Sequence, residues 1–186
     1  MMSASKNPTR ARAFRADRRG TASIEFAFIA PILIVMYYGV VELSLAIEAS
    51  RKVTSTASAV GDLVAQTDRI TPAEVSAIFD AADAIMQPLD TAPIEIRVSA
   101  IRMAMDSDIE VIWSRARNTT PYGCGATLTP PDAVLTPGQS IVIAEVSYNY
   151  VPPIGELLTG VIRLEDTFYL RPRQSLEVTM QPVQCP

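Results

Sequence analysis

The stretch Arg18-Arg19-Gly20-Thr21-Ala22-Ser23-Ile24-Glu25-Phe26 joins a cationic arm to an apolar run that continues to about Ile47. From Ile24 to Ile47 are 24 residues, roughly 36 Å as a helix, against a bilayer hydrocarbon core of about 30 Å. The run is long enough to span. Glu25 lies about one turn inside it, where a carboxylate costs up to about 2.5 to 3.5 kcal/mol on insertion scales. Either Glu25 marks the interfacial edge of an anchor, reaching back toward the headgroups, or it meets a partner inside the membrane.

Charge sets the orientation. Lys6, Arg10, Arg12, Arg15, Arg18 and Arg19 against Asp17 give the first 20 residues a net charge of +5, while the remaining ten basic and 19 acidic residues give −9. Basic flanks stay in the cytoplasm, so the amino terminus is inside and the bulk of the chain is exported, to the periplasm in a diderm bacterium. Dispersed cations beside an apolar span are a topology signal, and no nucleic-acid partner is expected. Ser44-Leu45-Ala46 has small residues at signal-peptidase spacing, but the run exceeds the usual 7 to 15 residues and carries Glu25 and Glu42. Arg18-Arg19 is followed by too long an apolar stretch for a twin-arginine signal.

The constellation of a basic leader, Gly20, Glu25 five residues later and Phe26 after it resembles the processing site of type IV prepilins and pseudopilins. The run from Arg19 to Leu33, with Glu25-Phe26-Ala27 and Pro31 in an E-F-A-x-x-x-P pattern, is followed by Tyr38-Gly39-Val40-Val41-Glu42-Leu43. Together with Arg51-Lys52-Val53 and Ala59 to Val64, it is similar to the TadE family of minor pseudopilins of the tight adherence (Flp) pilus. The resemblance covers residues 19 to about 66. It implies cutting by a prepilin peptidase between Gly20 and Thr21, glycine letting the backbone approach the peptidase closely. It also implies that Glu25 pairs with the new Thr21 amine of a neighbouring subunit. The implied partners are the peptidase, other pilins or pseudopilins, an inner-membrane assembly platform and the lipid bilayer. Major pilins of such systems are much shorter, so the size of the exported part argues for a minor component. An uncleaved single-pass protein, serving as a periplasmic scaffold or adhesin anchor, is the alternative.

Past the membrane the helical pattern continues. Ala49, Val53, Ala57, Val60 and Val64 recur at helical steps with Arg51, Lys52, Ser55, Ser58 and Asp62 on other faces, which predicts one helix from about 22 to 67, amphipathic in its second half. Pro31 is expected to bend it, and Gly39 to add flexibility. Thr71-Pro72-Ala73-Glu74 is a capping box for a second, short helix, with Val75, Ile78, Phe79, Ala82, Ile85 and Met86 inward and Pro88 ending it.

The period then changes to two. Ile94, Ile96, Val98 and Ala100 predict a half-buried strand, and Ile109, Val111 and Trp113 another. After a Gly-, Pro- and Thr-rich loop from Asn118 to Gly138, residues 141 to 150 put Val142, Ala144, Val146, Tyr148 and Tyr150 on one face. The two tyrosines are read as core more than as adhesive surface. A last strand spans Arg163 to Arg171, with Pro172 confining it to an edge. The expected fold is α+β: a basic leader at 1–20, a pilin-like transmembrane helix at 21–67, and an exported domain at 68–186. In that domain a meander of four or five antiparallel strands covers the small-residue face of the helix.

Cys124 and Cys185 are the two cysteines, both exported, and there is no histidine. In an oxidising compartment they are read as a disulfide closing a loop of about 60 residues, contributing roughly 4 kcal/mol; two unpaired thiols are the alternative. Zinc spacing is absent. Without histidine, a phosphate-cradling glycine loop or G-x-S-x-G, no catalytic residues and no cofactor are expected. Asp106-Ser107-Asp108-Ile109-Glu110 lacks the glycine and terminal acid of a calcium loop and is read as a solvated turn.

Overall fold

Helix α1 runs from Arg19 to Ala65 with Pro31 inside it. The computed structural model describes residues 19–105, 108–126, 128, 135–153, 160–182 and 185; the Asp106-Ser107 turn lies outside them. Two compact units meet between Leu43 and Ser44, within α1. The first is a single helical segment whose side chains from 21 to 29 and from 31 to 40 are all exposed. The second holds every other element.

In the second unit the small-residue stripe does what its spacing predicts. Ala49, Val53, Ala57, Val60 and Val64 are buried in one core with the inner face of a sheet. At Gly61 the approach is closest: a Cβ there would meet Leu170 Cδ1 at 2.5 Å and Ala144 Cβ at 3.2 Å. Helix α1 ends two residues earlier than its pattern suggests, because other groups take its last carbonyls. Thr67 Oγ1 donates to the Val64 carbonyl at 2.9 Å, and Arg173 N donates to that of Ala65 at 2.9 Å.

A two-residue strand β1 (Arg69–Ile70) leads into helix α2 (Pro72–Met86). The capping box is formed, with Glu74 N donating to Thr71 Oγ1 at 3.3 Å and Thr71 N to Glu74 Oε2 at 2.7 Å. Val75, Phe79, Ala82 and Met86 face the core; Ile78 and Ile85 are half-buried. The hydrogen bond from the Thr71 backbone, and then that from its hydroxyl, hold the Glu74 carboxyl below its ordinary value against a smaller opposing effect of desolvation.

Strands β2 (Ile94–Met103), β3 (Ile109–Arg117), β4 (Ser140–Tyr150) and β5 (Ile162–Leu170) form an antiparallel sheet in the order β3-β2-β4-β5. The expected meander is therefore wrong. Strand β4 pairs with β2, and the connection from Asn118 to Gln139 passes β2, laying Tyr122, Ala126, Leu128 and Leu135 over the sheet's second face. There they cover Ile101, Val111, Ile141 and Ile143. This is why β4 begins with the unbroken apolar run Ile141-Val142-Ile143-Ala144: both of its faces are covered.

A second departure lies in β3. Ala100 pairs with Trp113 but Ile101 with Val111, so Ile112 is an extra residue, a β-bulge. Trp113 consequently joins the main core while Val111 and Ile109 turn to the second cluster, where strict alternation put all three on one face. Trp113 Nε1 donates to the Val178 carbonyl at 2.8 Å. Strand β6 (Thr179–Met180), which follows, pairs in parallel with β1. Cys124 and Cys185 are bonded, their Cα atoms 5.5 Å apart.

Two outcomes follow. A Gly61→Val side chain overpacks the seat of α1 on β4 and β5 and is expected to destabilise the chain by about 1 to 3 kcal/mol in denaturant titration. The contribution of Glu74 is full above its ordinary pKa of 4.5 and lost as pH falls through the lower folded value, so Glu74→Gln should flatten that part of the acid-unfolding profile followed by circular dichroism.

Candidate functional site

The first unit is chemically the most unusual part of the molecule. Ile24, Phe26, Phe28, Ile29, Ile32 and Leu33 all stand exposed, Phe26 at 68%. The best 18-residue window in this helix has a mean hydropathy of 2.1 and none of it is buried. Such a surface is stable in lipid rather than water. Glu25 is exposed among these side chains. Its helical neighbours three and four residues away are Thr21, Ala22, Phe28 and Ile29, none of them cationic. Among the described residues it has no hydrogen-bond or ion-pair partner.

The Gly20-Thr21 bond lies in the first turn of α1 and Pro31 about three turns on, in continuous helix. A side chain at Gly39 would meet nothing within 4 Å. Its small size is therefore not required by packing among the described residues. Cys124 and Cys185 lie together, far along the chain from this segment, beside Arg102, Glu110 and Glu177.

The carboxylates of the second unit contrast with Glu25. On the second face of the sheet, Arg97 forks onto Glu145 through Nε at 2.7 Å and Nη2 at 2.9 Å. Its guanidinium lies 4.0 Å from the centroid of the Tyr122 ring. The Tyr122 hydroxyl donates to Glu145 at 3.0 Å. Burial first, and then the Glu145 carboxylate, push the Tyr122 phenol up; the hydrogen bond to Glu145 is the main cause raising the Arg97 guanidinium. Arg163 bridges Glu95 and Glu165 at 3.1 and 3.4 Å. Arg97, Glu145, Arg163, Glu95 and Glu165 line a polar cleft of about 590 Å³. Its arginines are committed to Glu95, Glu145 and Glu165, Asp166 accepts from Thr54 Oγ1 at 2.6 Å, and no histidine exists in the chain to act as a base near neutral pH.

Sequence reasoning missed several of these contacts. Lys52 Nζ reaches the carbonyls of Gln87 at 2.6 Å and Ile85 at 3.4 Å, so it caps the end of α2 from α1. Arg117 of β3 holds Asp80 at 2.5 Å and Asp83 at 2.9 Å on α2. The i, i+3 spacing of the two aspartates places them on one helix face, but nothing in the pattern names the partner. Tyr148 and Tyr150 are buried in the main core, as their alternation suggests.

Residues 20–62 match the family model described as TadE-like protein. No curated protein and no solved structure matches the chain. The matched segment includes the exposed apolar helix and continues through the buried stripe to Gly61, so it takes in both environments of α1. The match covers 43 of the 186 residues, and the helix in which it lies is long and apolar enough to cross a membrane.

The Arg97 cluster offers a direct stability test. Replacing Arg97 with Met leaves the Glu145 carboxylate half-buried with Tyr122 alone, and is expected to cost about 2 kcal/mol in denaturant titration.

Proposed function

We propose that this TadE-like chain is a minor pseudopilin of a tight adherence pilus, inserted amino terminus inward and cut by prepilin peptidase between Gly20 and Thr21. The observation that carries this reading is Glu25, a carboxylate on an exposed apolar helix with no partner among the described residues. Cleavage five residues before it creates an ammonium at Thr21. On a neighbouring subunit that ammonium neutralises the carboxylate within lipid, where an unpaired charge is most costly. Phe26 and the apolar side chains around it form the surface for helix-to-helix packing. Gly39, with open space beside it, admits close approach of a second helix. Pro31 shapes the helix between them. The second unit, with its own core and disulfide, makes the contacts outside the membrane, in the periplasm or on the pilus.

Mass spectrometry of the membrane-extracted protein checks this. A mature terminus at Thr21 is expected, and Gly20→Val should leave the leader attached. Glu25→Ala should permit cleavage yet reduce pilus assembly. Retention of the residues before Thr21 in the wild type would make the chain an uncleaved single-pass scaffold or adhesin anchor instead.

A further inference from the structure

Strand β5 ends the sheet on one side, and the ladder decides which of its backbone groups face outward. Met103 N donates to the Gln139 carbonyl at 3.0 Å, and Gly138 N to that of Met103 at 2.8 Å. Antiparallel partners alternate between bonded and non-bonded pairs, so the odd-numbered residues of β4 turn to β2 and the even-numbered ones to β5. With Val142 opposite Leu170 and Tyr150 opposite Ile162, the even-numbered residues of β5 bond to β4. The N–H and C=O groups of Arg163, Glu165, Thr167 and Tyr169 therefore point off the sheet, and among the described residues no strand pairs with that side. Thr167 N is the exception. It donates to Asp166 Oδ1 at 2.8 Å, and Asp166 is itself held from α1 by Thr54 Oγ1 at 2.6 Å. The open stretch is thus short and closed at one end. Ile162 and Leu164 beneath it reach the main core but stay half-buried, whereas Tyr150 and Tyr148, opposite them on β4, are buried.

We propose that this edge is an interface between two copies of the chain, which pair β5 antiparallel to β5 about a two-fold axis at Leu164. Backbone direction allows only registers that match odd-numbered residues with odd-numbered ones. Centred on Arg163 or Glu165, such a register sets like charges face to face, which is destabilising. Centred on Asp166, Thr167 or Phe168, it needs the Thr167 N–H that Asp166 holds. Centred on Leu164, it places Arg163 of each copy opposite Glu165 of the other, and it ends where Asp166 closes the edge. Both side chains are exposed. Within the chain Arg163 meets Glu165 at 3.4 Å and Glu95 at 3.1 Å, surface contacts that hold it weakly. The outward N–H and C=O groups of Arg163 and Glu165 find partners in this register. Leu164 meets its counterpart in a non-bonded pair, where side chains come closest. That contact covers apolar surface that the single sheet leaves half-buried. The inference is independent of processing after Gly20.

The test uses the full chain in detergent micelles. Cys124 and Cys185 are bonded to each other, so a single new cysteine reports contact between copies. At Leu164→Cys the paired Cα atoms stand about 4.5 Å apart, within the range of a disulfide. Oxidation by copper phenanthroline in air is expected to give a covalent dimer on a non-reducing gel. Mixed copies carrying Val161→Cys and Thr167→Cys, both exposed positions that this register sets opposite one another, should crosslink as well. Tyr169→Cys is the control, since its two copies lie about 33 Å apart along the strands. Arg163→Glu added to Leu164→Cys should slow crosslinking roughly tenfold, and further addition of Glu165→Arg should restore it. The contact with Glu95 is lost in both variants, so the restoration reads only the pair between copies. Circular dichroism checks that each variant is folded. No dimer from either cysteine arrangement in folded protein, or crosslinking at Tyr169 as fast as at Leu164, overturns the interface. A charge swap that leaves crosslinking slow overturns the register.

Discussion

One helix has to satisfy two surroundings, and the seat of its second half on the sheet is the contact on which the packed unit depends. Up to Ile47 the residues of α1 are predominantly apolar on every side, with Glu25 and Glu42 the acidic exceptions, as a lipid-facing surface requires. From Ala49 onward apolar residues withdraw to one stripe and become small, with Ala57 and Gly61 at its centre. Small residues on the helix admit large ones on the sheet, among them Ile94, Ile96, Val98, Phe168 and Leu170. The volume removed from one layer is restored by the other, which keeps the core close-packed.

The carboxyl-terminal segment closes this arrangement. It takes the carbonyl of Ala65 through Arg173 N, pairs with β1, buries Val178 and Met180, and receives the Trp113 indole on the Val178 carbonyl. Arg173 also meets Asp62 of α1, and Arg102 of β2 meets Glu177. The Cys124 to Cys185 disulfide then joins this segment to the connection that covers the sheet's second face, across a sequence separation of 61. A loop of that length corresponds to about 4 kcal/mol of unfolded-state entropy. Such a bond persists in an oxidising compartment.

Elements governed by local periodicity were legible in the sequence. The helical stripe from Ala49 to Val64, the Thr71 to Glu74 box, the alternation of β2 and β4 and the edge position of β5 needed only steps of 3.6 or 2 and a cap. What failed was set by contacts distant along the chain. Strand order depended on where a connection crosses, and the only trace of that crossing was the apolar run at Ile141 to Ala144, too continuous for one buried face. The bulge at Ile112 leaves no mark in an otherwise regular pattern. Strands β1 and β6 have two residues each, too few for any period to show. The partners of Lys52, Arg97 and Arg117 are likewise products of the tertiary fold. In the amino-terminal segment, motif and spacing made the residues conspicuous, and the structure adds that Glu25 has no partner among the described residues.

That carries weight because many carboxylates of the second unit are treated differently. Asp62, Asp80, Asp83, Glu95, Glu110, Glu145, Glu165 and Glu177 each face an arginine, although all have better access to water than lipid would give. Pairs of this kind at the surface contribute little, about 0 to 1 kcal/mol. In hydrocarbon the same pairing decides whether a charge is tolerated at all. Among the described residues the fold thus supplies counter-ions where they matter least and places none beside Glu25. A chain assembled on its own gains nothing from that arrangement. In the proposed assembly a second, processed amino terminus supplies the counter-ion in one register and one direction, because only that alignment brings the ammonium to the carboxylate.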